Sequence, residues 1–203
     1  MQAALDDGGG EQALTGAVGL TDRLLLQYPQ APEAEQALAL RGEIHYLLGD
    51  YETAAQDYTR YLQGYPSGTG LALAEERLIN ALLETGRPRD ALTEWDRAAA
   101  IDPGRLSDVN ALMQRAGALL AAGDHQTAAA SYLDIINRVP GTEPSPRAHL
   151  AAGLCLERLN RWPEALPVYE ALMRAWPQSS EARLAGDRSL AIRRFLATVE
   201  AFR

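Results

Sequence analysis

His45, His125, His149 and Cys155 are the side chains in this sequence best suited to chemistry. An imidazole can move a proton near neutral pH or ligate a metal, and a thiolate can attack or coordinate. Neither use finds its customary spacing. No HExxH, CxxC, GxSxG, phosphate-loop or acidic calcium-loop pattern occurs, and the three histidines stand in separate stretches. They read as packed or solvated side chains rather than ligands. Adjacent carboxylates such as Glu75 and Glu76 diverge on a helix, so they read as solvated and not as an acid–base pair. Gly8, Gly9 and Gly10 follow no strand-like segment and read as a flexible turn rather than a phosphate cradle. The expectation is a non-enzymatic protein with no cofactor and no metal site.

Composition narrows the classes further. The chain has 203 residues, 47% hydrophobic and 23% charged, a globular balance. All 19 basic residues are Arg, which removes lysine chemistry, and the net charge of -8 opposes phosphate-backbone binding, so no nucleic-acid partner is expected. Charge is uneven: divided at Pro66 and Pro140, the three parts carry -7, -3 and +2. Cys155 is alone, so no internal disulfide framework exists, and it reads as a small buried hydrophobe. No apolar run is long enough to span a membrane.

The elements that carry these residues recur. Pro29, Pro66, Pro103, Pro140 and Pro177 are spaced 37 residues apart. Gly49, Gly86, Gly123 and Asn160 keep the same period, as do Ala54, Ala91, Ala128 and Ala165, and the rings Tyr58, Trp95, Tyr132 and Tyr169. Each column has a physical role. Gly or Asn adopts the left-handed conformation that ends a helix. Ala five residues later permits a close helix crossing, the ring one turn on fills the space between neighbours, and Pro stops the second helix. Segments such as "AEQALALRGEIHYLLG" and "LALAEERLINALLETG" before each turn have apolar residues at spacings of three and four, which predicts the first helix of each pair. Ser107 and Asp108 are candidate N-caps, and Ser145 before Pro146 reads as N-cap and N1.

With Gly42, Ala54, Tyr58 and Pro66, and again with Gly153, Ala165, Tyr169 and Pro177, the chain resembles the tetratricopeptide-repeat family over about residues 11 to 203. It departs from the family pattern at Arg41, where Leu is usual, at His45, and at Ile79 and Ala116, where Gly is usual. His45 and His149 fall where the family places core aromatics, and His125 lies in a turn. The resemblance implies an all-α solenoid of antiparallel helix pairs in a right-handed superhelix of about ten helices. Residues 1–29 form a partial leading repeat, 30–66, 67–103, 104–140 and 141–177 full repeats, and 178–203 a capping helix. The leading repeat has a second helix over 13–29, with its partner cut short to "MQAALDD".

The family's first helices line a concave groove, and its groove-facing columns map onto four clusters here. These are Gln36, Ala39, Glu43, Tyr46 and Leu47; Leu73, Glu76, Asn80, Leu83 and Glu84; Asn110, Met113, Gly117, Leu120 and Ala121; and Arg147, Leu150, Leu154, Glu157 and Arg158. The resemblance thus implies a protein or peptide ligand. A clamp on a chaperone tail is not expected, since the chain has no Lys and only Asn80 and Asn110 are suitably placed. Long repeats ending in Tyr-Pro or Trp-Pro are similar to those of bacterial envelope proteins, namely the cell-division coordinator of the Tol-Pal system and the lipoprotein of the barrel-assembly machine. An adaptor of an envelope complex is therefore expected, periplasmic or outer-membrane-associated, with its signal or anchor absent from this chain. Two other readings stay open: a scaffold that self-assembles head to tail through its acidic and basic ends, and an interaction segment of a longer protein.

The alanine column gives a direct check. Ala128→Phe should overpack the helix crossing and destabilise the fold by about 1–3 kcal/mol, read as a lowered midpoint in thermal or denaturant unfolding.

Overall fold

In a computed structural model that describes residues 8–139 and 144–201, the four turn positions carry the backbone conformation that their residue types imply. φ is 78° at Gly49, 71° at Gly86, 81° at Gly123 and 58° at Asn160. Each turn closes the same way. Gly49 N–H donates to the Tyr46 carbonyl at 3.1 Å and Asp50 N–H to the His45 carbonyl at 2.9 Å, and the pair of bonds recurs at 86 and 87, at 123 and 124, and at 160 and 161. These bonds satisfy carbonyls that a helix end leaves without partners.

Ten α-helices follow from this punctuation among the described residues: α1 (Gly8–Gln27), α2 (Glu33–Leu47), α3 (Tyr51–Gly64), α4 (Leu71–Glu84), α5 (Pro88–Ile101), α6 (Val109–Ala121), α7 (His125–Arg138), α8 (Pro144–Arg158), α9 (Trp162–Ala175) and α10 (Ser180–Ala201). No described residue is in a strand. The chain divides into two compact units, one through Ala98 and one from Ala99. In the first, α2 packs on α1 and α3, and α3 on α4; in the second, α7 packs on α6 and α8, and α9 on α8 and α10.

Within the units the columns pack as their sizes require. Ala54, Ala91, Ala128 and Ala165 are fully buried, and Tyr58, Trp95, Tyr132 and Tyr169 are nearly so. A Cβ placed on Gly42 would lie 3.1 Å from the Tyr58 ring, and one on Gly153 closer still to Tyr169, so glycine there makes room for the aromatic. Ile79 and Ala116 fill the same column and are fully buried. The proline column acts just after α3 and α9, whose last amides bond back at Tyr65 and Trp176. Pro103 instead opens a 3-10 turn, Pro103–Leu106, capped by Asp102.

Some local expectations change. Gly8–Gly10 are not a flexible turn but the first residues of α1. α8 begins at Pro144, so Ser145 lies inside its first turn and approaches His149 instead of capping. Asp108 does cap α6, accepting from the Asn110 and Ala111 amides at 2.8 and 3.3 Å. Pro140, most of the junction that follows it, and the "MQAALDD" stretch lie outside the described residues.

The second helices start in two alternating ways. Asp50 and Asp124 accept from the amides of Thr53 and Thr127, three residues on. At the same position in the intervening repeats stand Arg87 and Arg161, whose guanidinium groups pair with Asp90 and Glu164, again three residues on. Each arginine also reaches back to the preceding second helix, Arg87 to Glu52 at 3.5 Å and Arg161 to Gln126 at 3.4 Å. Repeats are thus joined in twos.

Arg41, where leucine is usual, donates from Nε and NH2 to both oxygens of Asp57 on α3, at 2.9 and 2.5 Å, and from NH1 to Asp22 on α1 at 2.6 Å. Asp57 is almost wholly buried. The hydrogen bond to Asp57 is the chief reason that the Arg41 guanidinium is held above its ordinary pKa, against the opposing effect of burial. Removing one partner of such a pair leaves an uncompensated charge inside. Arg41→Leu, which leaves the buried Asp57 carboxylate without its partner, should therefore cost about 3–5 kcal/mol in chemical denaturation. The double variant Arg41→Leu with Asp57→Val, which adopts the residues of the equivalent positions Leu78 and Val168, should recover most of that loss.

Candidate functional site

First helices lie side by side within each unit, α2 against α4 in one, and α6 and then α10 against α8 in the other. In the first unit the junction is polar and aromatic. Glu43 on α2 accepts a hydrogen bond from the Tyr58 hydroxyl at 2.8 Å and from Arg77 of α4 at 2.9 Å. The Arg77 guanidinium sits 5.0 Å from the centre of the Tyr46 ring, and Tyr46 meets Tyr51 edge to face at 5.2 Å. Leu47 and Leu73 are exposed on the same two helices, as are Glu76 and Glu84. Burial, with the charges of Glu84 and Glu43 adding to it, raises the Tyr46 phenol above its ordinary pKa, although Arg77 opposes the shift.

The second unit builds the same tie one helical turn further along. Tyr169 donates to Glu157 at 2.5 Å, and Arg188 of α10 approaches Glu157 at 3.5 Å. Glu157 occupies the position of Tyr46, and Arg188 that of Arg77. Carboxylate, phenol and guanidinium thus knit a first helix to its own second helix and to the next first helix.

None of the twelve residues expected to face a ligand is buried. Glu43, Tyr46, Asn80 and Leu83 in the first unit are half-buried, while Leu47 and Glu76 are exposed. In the second, Met113, Leu120, Leu150 and Leu154 are half-buried, while Arg147 and Arg158 are exposed. They form one set on α2 and α4 and another on α6 and α8. Glu43 is committed to Tyr58 and Arg77, so its carboxylate shapes the face more than it offers a free charge.

Sequence reasoning did not foresee a cleft of about 590 Å³ on the other helices of the first unit. It is lined by Ala55, Leu78 and Leu82, by Thr59 and Arg60 of α3, by Arg87 just before α5, and by Asp90 and Glu94 of α5. The available signal was Arg60 on one second helix and Asp90 and Glu94 on the next, opposite charges on neighbouring second helices. Elsewhere His45 lies 3.2 Å from Asp50, and the His149 Nδ1 is 2.7 Å from the Ser145 carbonyl, with its ring edge to face with Trp176. Among the described residues no group of three His, Cys, Asp or Glu converges as a metal site, and no helix is long and apolar enough to cross a membrane.

Against known proteins, the family model described as Tetratricopeptide repeat matches residues 2–69, 76–143 and 138–180. No curated protein matches the chain. Among solved structures the chain is similar to YrrB, described as a tetratricopeptide-repeat protein with an unusual peptide-binding site, at 19% identity and a TM-score of 0.69 over 87% of this chain and 84% of that one. It is similar to a MamA protein at 18% identity and a TM-score of 0.67, over 85% and 88% of the two chains. MamA from Desulfovibrio magneticus RS-1, from residue 41 to its end, gives 16% identity and 0.62 over 82% and 97%. At such identities the likeness concerns the fold.

The buried thiol and phenols are held in their neutral forms. Burial pushes the Cys155 thiol up to about 11 and the Tyr132 phenol up to about 12. Tyr58 and Tyr169 are raised further, by burial first and then by their hydrogen bonds to Glu43 and Glu157. A thiol so placed is not a nucleophile at neutral pH. A phenol raised in the folded state contributes stability that is complete below its unfolded value near 10 and is lost as pH rises through its folded value. The protein should lose stability progressively between pH 10 and 12, and Tyr132→Phe should flatten part of that decline in denaturant titrations run across the range.

Proposed function

We propose that this chain, which belongs to the tetratricopeptide-repeat family, is a non-catalytic scaffold that binds a protein or peptide ligand along the open faces of its first helices. The observation that carries the reading is the half-open cluster of Tyr46, Tyr51 and Arg77 beside exposed Leu47 and Leu73. Apolar and aromatic groups presented together at a surface that is otherwise acidic suit an extended segment or helix with apolar anchors and basic flanks. Met113, Leu120, Leu150 and Leu154 offer a second set of contacts on α6 and α8, edged by Arg147 and Arg158. The peptide-binding site named for YrrB supports a ligand of this class.

The setting we propose is assembly of a bacterial envelope complex, periplasmic or at the outer membrane. Its support is the 37-residue repeat ending in Tyr65-Pro66 and Trp176-Pro177. The test of binding is a pull-down with wild type and with Tyr46, Leu83, Met113 and Leu150 all changed to Glu. Partners captured by wild type should be lost from the variant while its circular dichroism is unchanged. A correctly folded variant that keeps every partner would count against the proposal.

A further inference from the structure

The cleft along α3 and α5 is polar by choice of residue and not by demand of the architecture. Two periods on, the positions of Thr59, Thr93 and Glu94 hold Leu133, Pro167 and Val168. That of Arg60 holds Asp134, which pairs with Arg138 of its own helix at 2.7 Å. The second unit thus builds the same repeat with apolar residues at three of these places. A second hollow of about 220 Å³ shares Thr59, Leu78 and Glu94 with the first and continues to Gln63 and Arg97. Together they form one groove, from Ala55 to Gln63 on α3 and from Asp90 to Arg97 on α5, with Leu78 and Leu82 of α4 in its lining.

The polar groups are sorted along this length. At the start of α5 one guanidinium, Arg87, serves two carboxylates, Asp90 at 2.7 Å and Glu52 at 3.5 Å, so negative charge is in excess there. Arg87 engages Oδ2 of Asp90, and Oδ1 has no hydrogen bond among the described residues. At the other end Arg60 and Arg97 hold equivalent positions. Arg97 donates to Glu94 at 2.8 Å, whereas Arg60 has no ion pair among the described residues. Between the ends, Thr59 and Thr93 give their hydroxyl protons to the carbonyls of Ala55 and Arg89, at 2.8 and 3.1 Å. Each hydroxyl is left as an acceptor only.

We propose that this groove is a second binding site, separate from the first-helix faces, for a peptide of about three residues with both termini free and an apolar central side chain. Its ammonium lies at Asp90 and its carboxylate at Arg60, its amide N–H groups donate to Thr59, Thr93 and Glu94, and its central side chain meets Leu78 and Leu82. Length fits this ligand. Asp90 stands seven residues before Arg97, about 10 Å along a helix, and three extended residues span about 10 Å. Charge selects it too, because an ion of one sign matches one end and is repelled at the other. The inference does not depend on the ligand proposed for the first helices.

The experiment is isothermal titration calorimetry of the 203-residue chain at low salt with alanyl-leucyl-alanine. Wild type should bind it saturably. Acetylating its amino end, or amidating its carboxylate, should each weaken binding about ten-fold or more through loss of a charge-assisted hydrogen bond. Arg60→Gln, a change at an exposed side chain, should bind the free acid and the amide alike. The variant with Tyr46, Leu83, Met113 and Leu150 changed to Glu should bind the tripeptide as wild type does; if it melts early, Tyr46→Glu alone takes its place. No binding at millimolar tripeptide overturns the proposal. So do capped peptides that bind as tightly as the free one, a folded Arg60→Gln protein that still prefers the acid to the amide, or loss of binding in a folded first-helix variant.

Discussion

One residue in the left-handed conformation, placed at 49, 86, 123 and 160, is the constraint from which the rest of the packing follows. Its amide and the next both bond back into the helix they terminate, so the second helix leaves each turn in a fixed direction. That direction leaves Ala54 and its three equivalents fully buried. Only with the crossing set at that closeness does a ring one turn later fall against Gly42 or Gly153. A different turn geometry would leave these small residues facing voids, and voids in a packed interior are costly.

This dependence explains which parts of the protein can be read from its residues. A backbone conformation or a helix crossing restricts residue type by sterics, so Gly, Ala and Pro recur visibly and the all-helical repeat fold is legible. Polar ties are restricted only in sum. Arg41 looks like a lapse from a leucine position until Asp57 and Asp22 are placed around it, because nothing local in the sequence says that residues 41 and 57 share a contact. Glu43 and Glu157 perform one task from positions a helical turn apart, which no column comparison would align. Gly8–Gly10 mislead in the opposite sense, since glycine permits a turn but does not forbid the first turn of a helix.

The face of each first helix serves two ends at once. Tyr46, Leu83, Leu120 and Glu157 lend their carbonyls to the turns that follow them, while their side chains point away from that work. Backbone duty and side-chain identity are separable at these positions, so tyrosine, leucine and glutamate can occupy one column without disturbing the fold. This freedom makes the site hard to infer from pattern: a residue that the architecture does not restrict leaves no periodic trace.

The alternation of Asp50, Arg87, Asp124 and Arg161 has a consequence for how a chain of this kind can change its length. Arg87 and Arg161 each lean on a side chain of the repeat before them, Glu52 and Gln126, so the indivisible module is 74 residues, not 37. Excising a single repeat would bring two aspartate turns, or two arginine turns, into succession and strand the backward contact. Excising a pair restores every junction to one already present. Growth and shrinkage of such a molecule should then be quantised in even steps, with the electrostatics of the helix starts keeping count.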